Sequence, residues 1–385
     1  MAALSRIRMH LSLHQSVTLQ FGAWLIPALT STFCHSRLFS ATSKSNEPKR
    51  SVNPENESLL ENLNLMGVDV KMARKRQPGV FRKAITNEQG LAQFLKNKGA
   101  SNEVIASIIS RYPRAITRSV EHLEQRWKVL RNFFRFDEEI VSILARSPES
   151  FFRSSDNRNL EKNITFLTSL GLNTKDLHRL LTTAPRTFSN RVELNKQMVM
   201  FLEEICVELG DSNPQLFAKT VISKNVYILI RSIERVKKNI ENLKAFLNLS
   251  DPELLAFLQG TGAAILDLSN EYLKKNFNNI QQQMTSLGCG KADINKLIIT
   301  YPLVLYTRSN TMTTKLDCLL KGGITIKQII EKPKVLEYSA QNIMGRLEEL
   351  QKVGYDFQKN GISILDSSQK RFFAKLKKLS AVSDD

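Results

Sequence analysis

The chain has 385 residues, 42% of them hydrophobic, with only 16 glycines and 11 prolines. That length buries a sizeable core, and so few turn residues exclude a turn-rich all-β fold. A net charge of +18 points to an acidic partner, while five histidines and four cysteines leave little material for a metal centre.

Residues 1–42 carry Arg6, Arg8 and Arg37, and no acidic residue comes before Glu47. An Arg-containing, Ser-rich, acid-free leader reads as a mitochondrial transit peptide. "RLFS" (Arg37 to Ser40) offers a cleavage point after Phe39. The rival reading, a secretory signal, lacks a small-residue cleavage site after the apolar run. That run, Val17 to Phe33, is broken by Gln20, Gly22 and Pro27 and is too short to cross a bilayer. Residues 43–56 are polar and proline-containing and read as a flexible linker. The folded part is then 57–385. Cys34 lies in the leader, and the widely spaced Cys206, Cys289 and Cys318 read as buried, reduced thiols. Only His122 and His178 follow the leader, so neither a metal site nor a cofactor is expected.

Beyond the linker the chain repeats. "IISRYPRAITRS" surrounds Pro113, "ILARSPESFFRS" Pro148, "LLTTAPRTFSNR" Pro185, "IITYPLVLYTRS" Pro302 and "IIEKPKVLEYS" Pro333. Two copies lack the proline and carry Val226 or Gly262 in its place. Four residues before the anchor stand Ile109, Leu144, Leu181, Ile222, Leu258, Ile298 and Ile329. Three residues after it stand Ile116, Phe151, Phe188, Leu229, Ile265, Leu305 and Leu336. A degenerate copy surrounds Pro78, with Phe81 in the downstream column and Arg74 spoiling the upstream one. Recurrence at this spacing is the signature of a helical solenoid.

Each unit reads as a helix stopped by the anchor, a short apolar turn and a second helix. The second helices are expected to start near Ser119, Asn159, Asn190 and Arg235. They are expected to close at Gly171, Gly210, Gly288, Gly322 and Gly354, because glycine takes the left-handed conformation that ends a helix. Ser101 and Ser250 read as caps of following helices. The fold class is therefore all-α, a solenoid of about eight or nine repeats.

Charged positions keep the same phase. Arg118, Arg153 and Arg231 lie five residues after their anchors and Arg308 six; Arg114, Arg186 and Lys334 lie one after. In-phase positions line one edge of a solenoid, so these predict a basic stripe near the starts of the second helices, suited to phosphates. Any single arginine could equally be part of a solvated face; the phased set argues for a polyanion groove. A membrane surface is disfavoured, since no unit shows an apolar face flanked by lysines. Enzymatic motifs are missing: "GCGKAD" (Gly288 to Asp293) lacks the spacing and hydroxyl of a phosphate loop, and no nucleophile–base pair appears. Glu149 falls in the same column as Arg114 and Arg186 and reads as a loop carboxylate.

"SRYPRAITRS", "RSPESFFRS", "TTAPRTFSN", "NKQMV" and "ILDLSN" resemble the mitochondrial transcription termination factor (mTERF) family, over nearly the whole chain from about residue 57. The resemblance is nearest to the family's founding vertebrate branch. It implies a left-handed superhelix along duplex DNA, and sequence-specific binding inside the mitochondrial leucine tRNA gene, downstream of the ribosomal RNA genes. It further implies a monomer in the mitochondrial matrix nucleoid that unwinds the duplex and flips bases to arrest the mitochondrial RNA polymerase. Flipping costs about a few kcal/mol per base, which stacking on side chains offsets.

Carried over position by position, the resemblance puts base stacking on Arg146, Tyr227 and Tyr272. It puts base or backbone recognition on Arg153, Arg186, Arg235, Lys334 and Arg371. The relative has Phe at the position of Tyr227, Pro at Val226 and Arg at Lys334. A lysine reaches a guanine or phosphate but loses the bidentate fork. The plain alternatives stay open: Tyr227 and Tyr272 as partly buried aromatics, Arg146 as a bridge to a neighbouring Glu. Two other functions compete with this one. A factor for mitochondrial ribosomal RNA or ribosome assembly shares the fold, and a protein-binding solenoid without nucleic acid conflicts with the charge.

Overall fold

The computed structural model describes residues 54–153 and 157–383. The transit-peptide reading of residues 1–42, and the linker reading as far as residue 53, lie outside the described residues. Among the described residues the chain forms α-helices and short 3-10 helices, with no β-strand.

The repeat unit is as the anchors predict. Asn102–Arg111 leads into a 3-10 turn, Pro113–Thr117, and then Val120–Arg131. Asp137–Arg146, Pro148–Phe152 and Arg158–Ser169 follow in the same order. Proline opens the turn because its fixed φ suits the first helical position and its missing N–H is not needed there. It also holds the preceding residue out of the helix, as at Tyr112 (φ −141°, ψ 73°). Where valine replaces proline at 226 the turn is shorter, Ile228–Ile230. There the Asn225 side chain does the shaping, accepting from the Tyr227 amide at 3.1 Å.

The copy at Pro78 is a complete unit: Val70–Arg76, Pro78–Arg82 and Glu88–Asn97. A further unit without proline closes the chain, with Phe357–Asn360, a turn at 362–367 and Gln369–Ser383. Both apolar columns are buried in all seven copies, and Phe81 with them. One unit cannot cover these side chains alone. First helices therefore pack on first helices, second on second and turns on turns: Asn102–Arg111 sits between Val70–Arg76 and Asp137–Arg146, and Ile233–Leu247 packs on Asn270–Ser286. Phe152 is fully buried and stacks on Tyr112 of the preceding unit, ring centroids 6.4 Å apart.

The second helices begin at Val120, Arg158, Val192 and Ile233, each within two residues of the expected start. Gly171, Gly210, Gly288 and Gly354 do close helices with positive φ, but the fifth such residue is Gly323 (φ +83°) and not Gly322. Gly322 keeps a helical φ of −75°, and a Cβ there would meet the Leu347 side chain at 2.8 Å. At Gly323 a Cβ would find open space, so only backbone strain opposes it. Gly323→Ala is expected to destabilise by about 1 kcal/mol, read as a lowered urea midpoint. Cys206 and Cys289 are buried, whereas Cys318 is only half-buried. Burial, with Asp211 nearby, pushes the Cys206 thiol up to about 11, which leaves it unreactive.

Candidate nucleic-acid interface

All the residues singled out as DNA contacts lie at one recurrent place, where a first helix ends, the turn follows and the second helix begins. What fixes that edge is a ladder of buried polar side chains on the second helices. Asn239 donates to the Leu266 and Leu268 carbonyls of the next unit's turn at 3.0 and 2.8 Å. Asn276 donates to the Leu305 carbonyl and Lys315 to that of Leu336, both at 2.6 Å. Arg346 holds Leu365 and Ser367 at 2.6 and 2.7 Å, its guanidinium sandwiched between the Tyr338 and Phe372 rings. Asn163 and Asn195 continue the ladder, donating to the Asn190 and Thr187 carbonyls. A short turn exposes carbonyls that no helix satisfies; a buried donor answers these, from the preceding unit except at Thr187, which takes Asn195 of its own unit.

On this fixed edge, Arg153, Arg186, Lys334 and Arg371 are exposed and Arg235 is half-exposed. Arg186 and Lys334 stand second in their turns, Pro185–Ser189 and Pro333–Glu337, and Arg153 caps Pro148–Phe152. Arg235 and Arg371 sit in the first turns of Ile233–Leu247 and Gln369–Ser383. None of these five side chains takes a hydrogen-bond or ion-pair partner among the described residues. Such cations are free to meet an anion.

The predicted stripe is thinner than the phase suggested. Arg118 donates to the Phe152 carbonyl at 2.7 and 3.2 Å, clamping the next unit's turn, and burial lowers its pKa. Arg231 pairs with the buried Asp267 carboxylate at 3.3 Å. Both belong to the scaffold. Serine caps also take one amide at several second-helix starts, Ser119 from His122, Ser232 from Arg235 and Ser269 from Tyr272. The helix N-termini are therefore only partly free for phosphate.

Arg146 does not bridge to a glutamate. Exposed at the end of Asp137–Arg146, it donates to the Ser142 carbonyl and, at 3.2 Å, to the Thr182 carbonyl of the next unit. Arg111 makes the same move one unit earlier, onto Ala145 and Arg146, as does Arg179 onto Ser223. Cations suit helix C-termini, where the carbonyls carry partial negative charge.

Tyr227 is 38% exposed, its ring 5.9 Å from the Arg231 guanidinium. Tyr272 is half-buried against the core, and its hydroxyl donates to the Tyr306 carbonyl at 3.1 Å. Among the described residues no His, Cys, Asp and Glu cluster could hold a metal ion, and no helix is long and apolar enough to cross a membrane.

Residues 60–373 match the family model mTERF. The chain belongs to the mTERF family. Its repeat is the mTERF unit of two helices and an intervening turn. Among curated relatives, "Transcription termination factor 1, mitochondrial" of Homo sapiens is 53% identical over 326 residues, covering 85% of this chain and 82% of its own length. "Transcription termination factor 1a, mitochondrial" of Mus musculus is 50% identical over 359 residues, covering 92% and 94%. "Transcription termination factor 2, mitochondrial" of Mus musculus is 31% identical over 329 residues, covering 85% and 84%.

Sequence reasoning missed the residues that hold this mTERF edge together. Asn239, Lys315 and Arg346 each stand 13 residues after their anchors and Asn276 stands 14, a polar column inside the same frame, while Asn163 and Asn195, at 15 and 10, fall outside it. Asp267 also left a signal. It stands five residues after Gly262, a carboxylate in the column where Arg118, Arg153 and Arg231 stand.

Proposed function

We propose that this chain is a mitochondrial transcription termination factor that grips duplex DNA along its turn edge. The observation that carries the reading is a set of exposed cations, Arg153, Arg186, Lys334 and Arg371, whose side chains have no partner among the described residues and which lie on or beside turns that buried donors hold in place. The names of its relatives support the same duty. Arginine forks read guanine edges, and a rigid mount turns charge into sequence discrimination. In this reading the DNA site lies within the mitochondrial leucine tRNA gene, and the monomer works in the matrix nucleoid. Binding unwinds the site, and Arg146, Tyr227 and Tyr272 stack against extruded bases. The bound protein then stops the mitochondrial RNA polymerase, with contact to the transcription machinery. No catalytic step by the chain itself is needed.

The test compares the leucine-tRNA-gene duplex with a scrambled duplex of equal length, at several salt concentrations. We expect the specific duplex to bind at least ~100-fold more tightly, and both affinities to fall steeply with salt. Equal affinity for the two sinks the reading. Recovery of ribosomal RNA instead of DNA on crosslinking in intact mitochondria would transfer the same surface to ribosome assembly.

A further inference from the structure

The Arg231–Asp267 pair is part of a larger polar cluster that links the two tyrosines. Asp267 is 7% exposed and accepts from the units on either side of its own. Its Oδ1 takes the Tyr306 hydroxyl at 2.5 Å and the Asn225 side-chain amide at 3.1 Å. Its Oδ2 takes the Arg231 guanidinium at 3.3 Å. Each partner leads outward. Asn225, itself buried, also holds the Tyr227 backbone amide and donates to the Ala263 carbonyl at 2.9 Å. Arg231 lies against the Tyr227 ring. Tyr306 offers its own carbonyl to the Tyr272 hydroxyl. One carboxylate thus ties together the surroundings of Tyr227 and Tyr272, which are 45 residues apart in sequence.

We infer that Asp267 and Tyr306 are positioning residues, a bridge that holds Tyr227 and Tyr272 as a fixed pair of stacking surfaces and keeps Arg231 from free contact with phosphates. The inference rests on the base-stacking reading above. Stacking offsets base extrusion only if the rings are already in place; a ring that must be immobilised on binding loses part of that gain. The bridge meets this need with buried, charge-assisted hydrogen bonds, which hold their geometry better than surface contacts. Burial and the adjacent carboxylate push the Tyr306 phenol far above its ordinary range, so its hydroxyl stays a donor at every working pH. Pairing Arg231 with Asp267 has a second effect. It removes one cation from the sequence-blind part of DNA binding, which favours discrimination.

The full chain is tested on the leucine-tRNA-gene duplex carrying 2-aminopurine substitutions, whose fluorescence rises when the base leaves the stack. Tyr306→Phe keeps the ring and deletes only the hydroxyl. We expect it to reduce the fluorescence rise at least twofold and the specific-to-scrambled affinity ratio by about tenfold, the size of one weakened stack. We expect a thermal transition that stays cooperative. Asp267→Asn should raise affinity for the scrambled duplex, and steepen its log–log salt slope by about one, as a freed arginine joins the phosphate contacts. Unchanged fluorescence and an unchanged ratio in Tyr306→Phe overturn the bridge. Tyr227→Ala and Tyr272→Ala separate the two ideas. If neither changes the fluorescence, base stacking by these rings fails, and the bridge then stands or falls on the Asp267→Asn salt slope.

Discussion

Replacing Asn239 with leucine is expected to destabilise the fold by about 3 kcal/mol, although leucine is the better helix former. Asn239 is fully buried in Ile233–Leu247, and its amide nitrogen serves two carbonyls of the next turn, those of Leu266 and Leu268. Its oxygen accepts from the Asn270 side chain at 2.7 Å. Leucine would strand two buried acceptors and one donor at once. A buried group left without a partner costs about 1–3 kcal/mol, while the apolar gain is small because the pocket is shaped and lined for an amide. The solenoid sharpens the consequence. Each unit contacts only its neighbours, so a weakened interface in mid-chain lowers the coupling between the halves. Urea unfolding of Asn239→Leu should therefore show a lowered midpoint and a broadened or split transition. An unchanged, single sharp transition would mean that the ladder carries no coupling. Asn276→Leu should behave the same way, because Asn276 serves the Leu305 carbonyl one unit further on.

The same ladder explains how much of this molecule could be read without coordinates. Apolar columns keep phase with the anchors because both sit on the turn, and a turn of fixed length cannot slide. Ile109 and Ile116 flank Pro113 at the same offsets as Ile329 and Leu336 flank Pro333, and all four are buried. The closing unit escaped notice because its turn at 362–367 has no proline and its first helix spans only Phe357–Asn360. Polar positions misled for a different reason. Hydropathy ranks Asn239, Lys315 and Arg346 as surface residues, yet each is buried because the neighbouring turn presents bare carbonyls. The mark such a need leaves is phase and not hydropathy: all three stand 13 residues after their anchors.

The candidate site divides along the same line. Arg118 and Arg153 occupy equivalent places in their repeats, yet Arg118 is spent on the Phe152 carbonyl while the Arg153 side chain is exposed and takes no partner among the described residues. Repeat phase identifies the edge; only the neighbouring unit's carbonyls and carboxylates decide which cations remain available. Asp267 makes the case most clearly, since one acidic residue in an arginine column converts Arg231 from a candidate contact into a strut.

Arg186 is the cation whose removal should most directly separate reading from gripping. It is exposed, it stands second in the turn Pro185–Ser189, and its platform is held on every side. Its own carbonyl accepts the Ser189 hydroxyl at 3.0 Å, the Thr187 carbonyl takes Asn195, and Phe188 is buried in the core. These contacts hold the backbone under Arg186, so its side chain projects from a fixed point on this edge. Arg186→Ala is expected to weaken binding to the leucine-tRNA-gene duplex by about 1–3 kcal/mol and to leave scrambled-duplex binding nearly unchanged. The fold should not suffer, because no described residue depends on the guanidinium. Equal weakening on both duplexes, with a salt slope reduced by about one, would make Arg186 a phosphate contact. Arg186→Lys distinguishes the two roles further. A lysine keeps the charge but not the fork, so it should leave scrambled-DNA affinity unchanged and restore affinity for the specific site only in part. That partial rescue would also measure what the chain forgoes at position 334, where Lys334 stands in an equivalent turn with the charge and without the fork.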